Sequence, residues 1–342
     1  MRFTRRRLLV SAIFIVSTVA FLYFVLPKLL GLQETWNRIQ HGNGWWFGLA
    51  IVLEVCSFAG YVVLFRAVFV RGQSPIDWRE SYQITMAGLA ATRLFAAAGA
   101  GGVALTAWAV RRSGLEARIV ACRMIAFLAL LYGVYMATLV IDGLALYLGL
   151  FPGHAPFAIT MIPAIFGAVV IGLFLAVSLL PGDFERLVDR WTGSHHRIGR
   201  LARRVAAAPA AAATGVRTAI SLVRSRDPYL LGAIAWWGFD IAVLWACFHA
   251  FGAAPPQAVI VMAYFVGMLG NILPLPGGIG GVDGGMIGAF SAFGVPVEIS
   301  VVAVLAYRGI AFWLPTLPGA VAYLQLRRTV HRWDAAQAPS YT

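Results

Sequence analysis

The sequence has 342 residues, of which 60% are hydrophobic and only 12% are charged. Soluble domains contain roughly 25% charged residues, so this composition and a mean hydropathy of +0.79 exclude an ordinary soluble enzyme and predict a membrane protein. The net charge of +13 would suit nucleic-acid binding. We expect no such partner, because the basic residues lie in short segments between apolar runs, as on the cytoplasmic side of a membrane.

Long apolar runs predict the membrane spans in chain order. The first run, 8–26, follows a cluster of arginines. It exceeds the apolar core of about 7–15 residues in a secretory signal peptide and precedes no A-x-A site, so we predict an uncleaved span. Five more runs have the length that a bilayer requires: 45–69, 119–149, 157–180, 228–250 and 297–325. The predicted fold class is all-α, a polytopic membrane protein with about six full transmembrane helices.

The positions of the basic residues predict the orientation of these spans. The segments expected on one side hold 22 of the 27 Lys and Arg, and those on the other side hold two. By the positive-inside rule, both termini face the cytoplasm of a bacterial inner membrane. The segment 181–227 becomes a basic cytoplasmic loop. Apolar residues between the arginines of 197–205 indicate either a helix on the inner leaflet or simple positive-inside anchoring.

Two further segments do not fit as simple membrane spans. Residues 81–110 begin and end on the cytoplasmic side, yet two crossings need about 40 residues. This segment is interrupted at Ala98–Gly102, and the segment 257–294, which begins and ends outside, is interrupted at Pro274–Gly281. We predict two re-entrant hairpins that enter from opposite sides. Irregular backbone at membrane depth must be buried in protein or line a wet cavity.

The opposed hairpins predict an inverted repeat within a single integral-membrane domain, 1–342. Unit one covers about 45–150 and unit two about 228–326. A short echo supports the repeat, since Arg123-Met-Ile-Ala-Phe127 follows the first hairpin and Arg308-Gly-Ile-Ala-Phe312 follows the second. Inverted repeats with interrupted helices near the midplane are typical of transporters.

Charged residues inside the apolar runs are candidates for a functional site, since each costs roughly 2.5–3.5 kcal/mol to insert. Arg66, Arg123 and Asp142 lie near the ends of their runs and are structural by default, although Arg123 belongs to the echo. Four others lie ~14–18 Å along their runs at about 1.5 Å per residue: Glu54, Arg93, Asp240 and Arg308. They form either buried ion pairs, such as Glu54 with Arg93 and Asp240 with Arg308, or a polar cavity for a charged headgroup.

The stretch Pro274–Gly285 is the most specific motif. Consecutive glycines expose the backbone to a ligand, and a helix that starts near Val282 would direct free N–H groups toward an anion. Asp283 either contributes to that site or caps the helix. The candidate glycines are Gly277, Gly278, Gly280 and Gly281.

Four motifs resemble the signature of the flippase-like transmembrane family, which includes the membrane half of bacterial lysylphosphatidylglycerol synthases. They are Leu273-Pro-Leu-Pro-Gly-Gly-Ile-Gly-Gly-Val-Asp283, Phe293-Gly-Val-Pro296, Ala306-Tyr-Arg308 and Trp313-Leu-Pro315. The resemblance implies movement of aminoacylated or glycosylated lipids without their synthesis, because the aminoacyl-transfer domain of some members is absent. Asp283 replaces the usual Glu, and Thr106 stands where the family tends to have Arg, so that Arg93 would substitute for it.

We therefore expect a lipid translocase without a cofactor. Arg308 and the glycine backbone would bind the lipid phosphate, and Arg93 would serve the inward-facing route. Glu54, Asp240 and Asp283 would balance the arginines, bind a cationic headgroup or carry a coupling proton. The expected partners are membrane lipids (an anionic or aminoacylated phospholipid or a lipid-linked glycan), with a lipid-modifying enzyme as a further candidate.

Two alternatives remain at this point. One is a scaffold that recruits a lipid-modifying enzyme through 181–227. The other is a membrane enzyme acting on a lipid-linked substrate. No metal-ligand spacing supports the enzyme, since His195-His196 lies in the basic loop without a matched acid motif.

Overall fold

The structure is a computed structural model that describes residues 42–71, 76–94, 100–153, 156–179, 198–252, 254–272 and 278–337. Within these ranges the regular structure is helical. The predicted first span, 8–26, and the candidate residue Gly277 lie outside the described residues.

The helices follow one another with short connections, and we number them in chain order. They are α1 (Gly44–Phe69), α2 (Trp78–Leu94), α3 (Ala100–Arg112), α4 (Ala117–Tyr147), α5 (Phe157–Ser178), α6 (Ile198–Arg224), α7 (Leu231–Ala250), α8 (Gln257–Met268), α9 (Gly281–Ala292), α10 (Val297–Arg308) and α11 (Thr316–Gln337). A 3₁₀ turn precedes α7 at Pro228–Leu230, and another extends α8 at Leu269–Ile272. The π-helical turn Gly309–Trp313 joins α10 to α11.

Five helical segments of the described residues are long and apolar enough to cross a bilayer, which confirms the all-α polytopic class. They are Gly44–Phe69, Ala117–Tyr147, Phe157–Ser178, Pro228–Ala250 and Val297–Ala335. The run 119–149 is a single helix of 31 residues. At about 1.5 Å per residue it exceeds a bilayer core of ~30 Å, so it must tilt or protrude. The last segment continues beyond the predicted end at residue 325, because α11 carries the helix into a polar, basic stretch.

Helices α1 and α7 cross as an antiparallel pair. The amide of Asn43 donates to the carbonyl of Ala250 at 3.0 Å, and the Ser57 hydroxyl donates to the carbonyl of Trp236 at 2.9 Å. Gly60 and Gly232 lie at the contact, where small residues let two backbones approach closely. A Cβ atom on Gly232 would lie 2.7 Å from the amide nitrogen of Leu64. The first helices of the two proposed units therefore run in opposite directions.

The close approach of α1 and α7 predicts a localised stability effect. Gly232→Ala should destabilise the protein by about 1–3 kcal/mol, because the new methyl group overlaps the backbone of α1. Gly238→Ala in the same helix is the matched control, since no atom lies within 4 Å of its Cβ position. Thermal unfolding in detergent measures the difference. Equal unfolding temperatures for the two variants would contradict the packing described here.

Each of the two interrupted segments folds as a pair of short helices. In the first, α2 packs on α3 at Gly88 and Gly102, where a Cβ atom on Gly102 would collide with the carbonyl of Gly88. In the second, α8 packs on α9, and a Cβ atom on Gly267 would lie 2.8 Å from the amide nitrogen of Met286. Both segments are thus helical hairpins, and their depth in the membrane remains a prediction.

The two units repeat the same packing. In each, the first helix contacts the last one, α1 with α4 and α7 with α10. The second arm of each hairpin also contacts that last helix, α3 with α4 and α9 with α10. Together with the antiparallel α1–α7 crossing, this pattern agrees with an inverted repeat, which remains our interpretation of the chain.

Helix α6 is more than a surface segment. The Ala-rich stretch within it continues the helix, and Ala213, Val216, Ala219 and Leu222 bury one face of its C-terminal half. That half packs against α4 and α5. The described part of the basic loop is therefore anchored to the membrane helices, whereas residues 181–197 of the loop lie outside the described residues.

Candidate functional site

A cavity of about 240 Å³ lies where both units meet. Its lining includes all four charged residues placed near mid-depth by the sequence: Glu54 from α1, Arg93 from α2, Asp240 from α7 and Arg308 from α10. Three of them are buried, and Arg93 is half-buried. Residues that are far apart in sequence thus converge on one polar site.

Both hairpins contribute to the cavity wall. The first supplies Gly88, Thr92, Gly102 and Thr106, and the second, including its 3₁₀ extension and turn, supplies Met268, Asn271 and Gly278. Aromatic side chains form much of the remaining wall, among them Tyr61, Trp236, Trp237, Tyr264 and Phe312. The small and hydroxyl-bearing hairpin residues leave room beside the charges, and the aromatic rings make much of the remaining wall apolar.

The cavity reaches the surface of the protein. Tyr132 of α4 lines it and is 46% exposed, and Asn271 at the second hairpin lines it and is also exposed. The charges are therefore not sealed inside a closed void. Access between helices is what a site for a membrane-bound molecule requires.

Arg308 is anchored by Asp283. The Arg308 Nε atom lies 2.5 Å from Asp283 Oδ1, and the guanidinium lies over the Phe312 ring at 4.4 Å from its centroid. The other carboxylate oxygen, Oδ2, accepts a hydrogen bond from the amide of Gly280 at 2.9 Å. Asp283 therefore caps α9, which is one of the two roles considered from the sequence, and it also pairs with Arg308. It lies behind the cavity rather than in its lining.

Arg93 connects the first hairpin to the π turn. Its Nη2 atom donates to the carbonyl of Ala311 at 2.9 Å, and its guanidinium lies 5.3 Å from the centroid of Phe312. Phe312 thus contacts both cavity arginines. The sequence echo is not a structural one, because Arg308–Phe312 enters the π turn whereas Arg123–Phe127 continues as α-helix in α4. Single π-helical turns are rare and occur frequently at functional sites.

The two acidic residues of the cavity meet at the α1–α7 crossing. Asp240 Oδ2 accepts hydrogen bonds from the hydroxyls of Tyr264 and Tyr307, the latter at 2.9 Å. The carboxyl group of Glu54 lies within hydrogen-bonding reach of that of Asp240. Arg93 is near enough to attract both. The ion pairs expected from the sequence, Glu54 with Arg93 and Asp240 with Arg308, are thus replaced by a carboxyl pair and an Arg308–Asp283 pair.

The remaining predicted residues lie at the edge of this site or away from it. Gly278 lines the cavity, and Gly280 and Gly281 form the start of α9, within one residue of the predicted helix start at Val282. Gly280 has a φ of 83°, which favours glycine. Arg123 lies elsewhere, and its Nη1 atom donates to the carbonyl of Phe69 at 2.7 Å near the end of α1. It does not line the cavity.

Sequence reasoning missed the neutral polar residues of the site. Tyr264 and Tyr307 hold Asp240, and Thr92 and Asn271 line the cavity. The prediction rested on formally charged residues within apolar runs, and hydroxyl and amide side chains carry no formal charge. The position of Tyr307 directly before Arg308 in the Ala306-Tyr-Arg308 motif was the available signal.

The fold and the cavity define a polytopic α-helical membrane protein with an internal polar site. Residues 8–319 match the family described as the lysylphosphatidylglycerol synthase TM region, and the chain belongs to that family. The family expected from the sequence motifs is thereby confirmed.

Relatives of similar length are described as UPF0104 membrane proteins. A UPF0104 membrane protein of Methanothermobacter thermautotrophicus is 24% identical over 324 residues, which cover 91% of this chain and 94% of the relative. A shorter alignment to a UPF0104 membrane protein of the same organism is 32% identical over 112 residues, or 32% of this chain and 31% of the relative. Another, from Methanocaldococcus jannaschii, is 30% identical over 95 residues and covers 28% of each chain.

Proposed function

We propose that the protein is a lipid translocase of the flippase type, which moves a phosphate-bearing lipid headgroup across the inner membrane through the cavity. The observation that carries this proposal is the convergence of Arg93, Arg308, Glu54 and Asp240 on one cavity between the two units. Aminoacylated or glycosylated lipids are the substrate class that the family resemblance implies. The basic segments of the sequence support cytoplasmic termini.

The size of the cavity supports a headgroup rather than a whole lipid. Pockets that enclose a drug-sized ligand measure roughly 300–1,000 Å³, and this one measures about 240 Å³. It has room for a polar headgroup but not for acyl chains as well. The chains would remain in the bilayer and follow the headgroup along the opening beside Tyr132.

The charges of the cavity would offset the cost of moving a phosphate through the apolar interior. Arg93 and Arg308 offer guanidinium groups that form charge-assisted hydrogen bonds with phosphate oxygens. Arg308 is oriented by Asp283 at 2.5 Å, and Arg93 is oriented by the carbonyl of Ala311. Fixed orientation lowers the entropy that binding must remove.

The two hairpins supply a route for alternating access. They line the cavity from different units, and the two arms of each are held together by close glycine contacts. Movement of one hairpin would open the cavity toward one leaflet while the other remained closed. This mechanism is the one that inverted repeats with interrupted helices commonly use.

Proteoliposomes that contain fluorescent lipids of several headgroup classes test the proposal. We expect transfer between leaflets that is faster than in protein-free vesicles for at least one phosphate-bearing lipid. Transfer no faster than in protein-free vesicles for every class would refute a flippase. Mass spectrometry of the recovered lipid distinguishes a flippase from a membrane enzyme. An enzyme would return a chemically altered lipid and a flippase an unchanged one.

A further inference from the structure

One acceptor atom in the cavity lacks a partner. Glu54 is 3% exposed, and its Oε2 atom has no hydrogen-bond partner among the described residues. A buried ionised carboxylate is costly unless it is fully paired. This arrangement indicates that Glu54 either is protonated or binds a ligand that donates a hydrogen bond to it.

The neighbours of Glu54 favour the proton. The carboxyl groups of Glu54 and Asp240 lie within hydrogen-bonding reach of each other, and two ionised carboxylates have no donor to share. Asp240 already accepts from the hydroxyls of Tyr264 and Tyr307, which stabilise its ionised form. The shared proton therefore belongs on Glu54, which donates to Asp240.

The charge balance of the site leads to the same assignment. The acidic groups are Glu54, Asp240 and Asp283, and the basic groups are Arg93 and Arg308. One proton on the carboxyl pair makes this set neutral, and neutrality is strongly favoured in a membrane interior. An anionic headgroup that enters the cavity adds negative charge, which a second proton on the pair would compensate.

Groups from every neighbouring element face this pair. They are Arg93 of α2, Cys247 of α7, Tyr264 of α8 and Tyr307 of α10. Arg93 favours the ionised pair, whereas burial and the mutual repulsion of the two carboxylates favour the protonated one. The pair lies at the antiparallel α1–α7 crossing, where its charge acts on both units.

We infer that Glu54 and Asp240 form a proton-binding pair, and that a proton taken up by the pair crosses the membrane in the same direction as an anionic lipid headgroup. This inference rests on the proposed flippase function. The proton comes from water on the side from which the headgroup enters, binds a carboxylate oxygen of the pair, and returns to water on the other side when the headgroup leaves. No other co-reactant is needed.

A transport assay with an imposed pH gradient tests the coupling. An anionic fluorescent phospholipid is placed in the outer leaflet of proteoliposomes, and albumin extraction follows its inward movement. An acidic exterior should accelerate inward transfer several-fold for the wild type and for Glu298→Gln, an exposed acid on α10 that serves as the control. The ratio of rates with and without the gradient should fall to one for the double variant Glu54→Gln with Asp240→Asn, which leaves no carboxyl group at the pair to take up a proton.

The outcomes separate the two proposals. Wild-type transfer that does not change with the pH gradient, or that responds instead to a sodium gradient, would overturn proton coupling while leaving the flippase intact. A gradient response that survives in the double variant Glu54→Gln with Asp240→Asn would do the same. Absence of transfer under every condition would refute the flippase. Proton binding is then read directly from the infrared difference spectrum of wild type minus Glu54→Gln. That spectrum should contain the C=O band of a protonated carboxylic acid at neutral pH, and a carboxylate band alone would overturn the inference.

Discussion

Replacement of Arg308 by alanine is expected to reduce lipid transfer by roughly tenfold or more, since one hydrogen bond to a charged group contributes ~1.5–3 kcal/mol. It should also destabilise the protein by about 3–5 kcal/mol, because Asp283 is left buried without its partner. Both side chains are almost fully buried, and Arg308 Nε lies 2.5 Å from Asp283 Oδ1. Transfer assays in proteoliposomes and thermal unfolding in detergent measure the two effects.

Two further variants separate the binding role from the structural one. The double variant Arg308→Gln with Asp283→Asn removes both charges but keeps an acceptor for the amide of Gly280, so it should recover stability while transfer stays low. Arg112→Ala is the matched control, since Arg112 pairs with Asp334 at 2.8 Å on the exposed surface, where such pairs contribute only ~0–1 kcal/mol. Wild-type transfer by the double variant would show that Arg308 is purely structural.

Replacement of Arg93 by alanine should lower transfer by a similar factor of about ten, for the same loss of a charged hydrogen-bond donor. The stability loss should be smaller than for Arg308, because Arg93 is half-buried and is held by the neutral carbonyl of Ala311. Rate measurements over a range of lipid concentrations quantify the defect.

The first hairpin offers a rescue experiment for this defect. Thr106 lies on the facing arm and lines the same cavity as Arg93. The double variant Arg93→Ala with Thr106→Arg returns a guanidinium to the cavity from that arm and should regain part of the lost transfer. The single variant Arg93→Ala is the reference. It retains Arg111, an exposed cation in the same helix as Thr106. A double variant no better than the single one would show that the position of the charge, and not its presence, matters.

The sequence alone predicted the all-α membrane class and the four charged residues that line the cavity. Apolar runs such as 119–149 and 228–250 are local properties of the chain, and a bilayer requires a minimum apolar length wherever they occur. Counting residues along each run predicted a similar depth for Glu54, Arg93, Asp240 and Arg308, because the helical rise is nearly constant. Charged residues at similar depth in one helical bundle are expected to lie near one another.

Only the tertiary structure decided which groups meet and how they are paired. The pairing of Arg308 with Asp283, the tyrosine donors on Asp240 and the contact of Arg93 with Ala311 depend on how each helix is rotated about its axis. Helix rotation is set by side-chain packing between elements distant in sequence, such as Gly60 against Gly232. Position along a run follows from the sequence, whereas helix rotation follows from contacts between helices. For that reason the four charged residues of the cavity lining were predictable, and their hydrogen-bond and ion-pair partners were not.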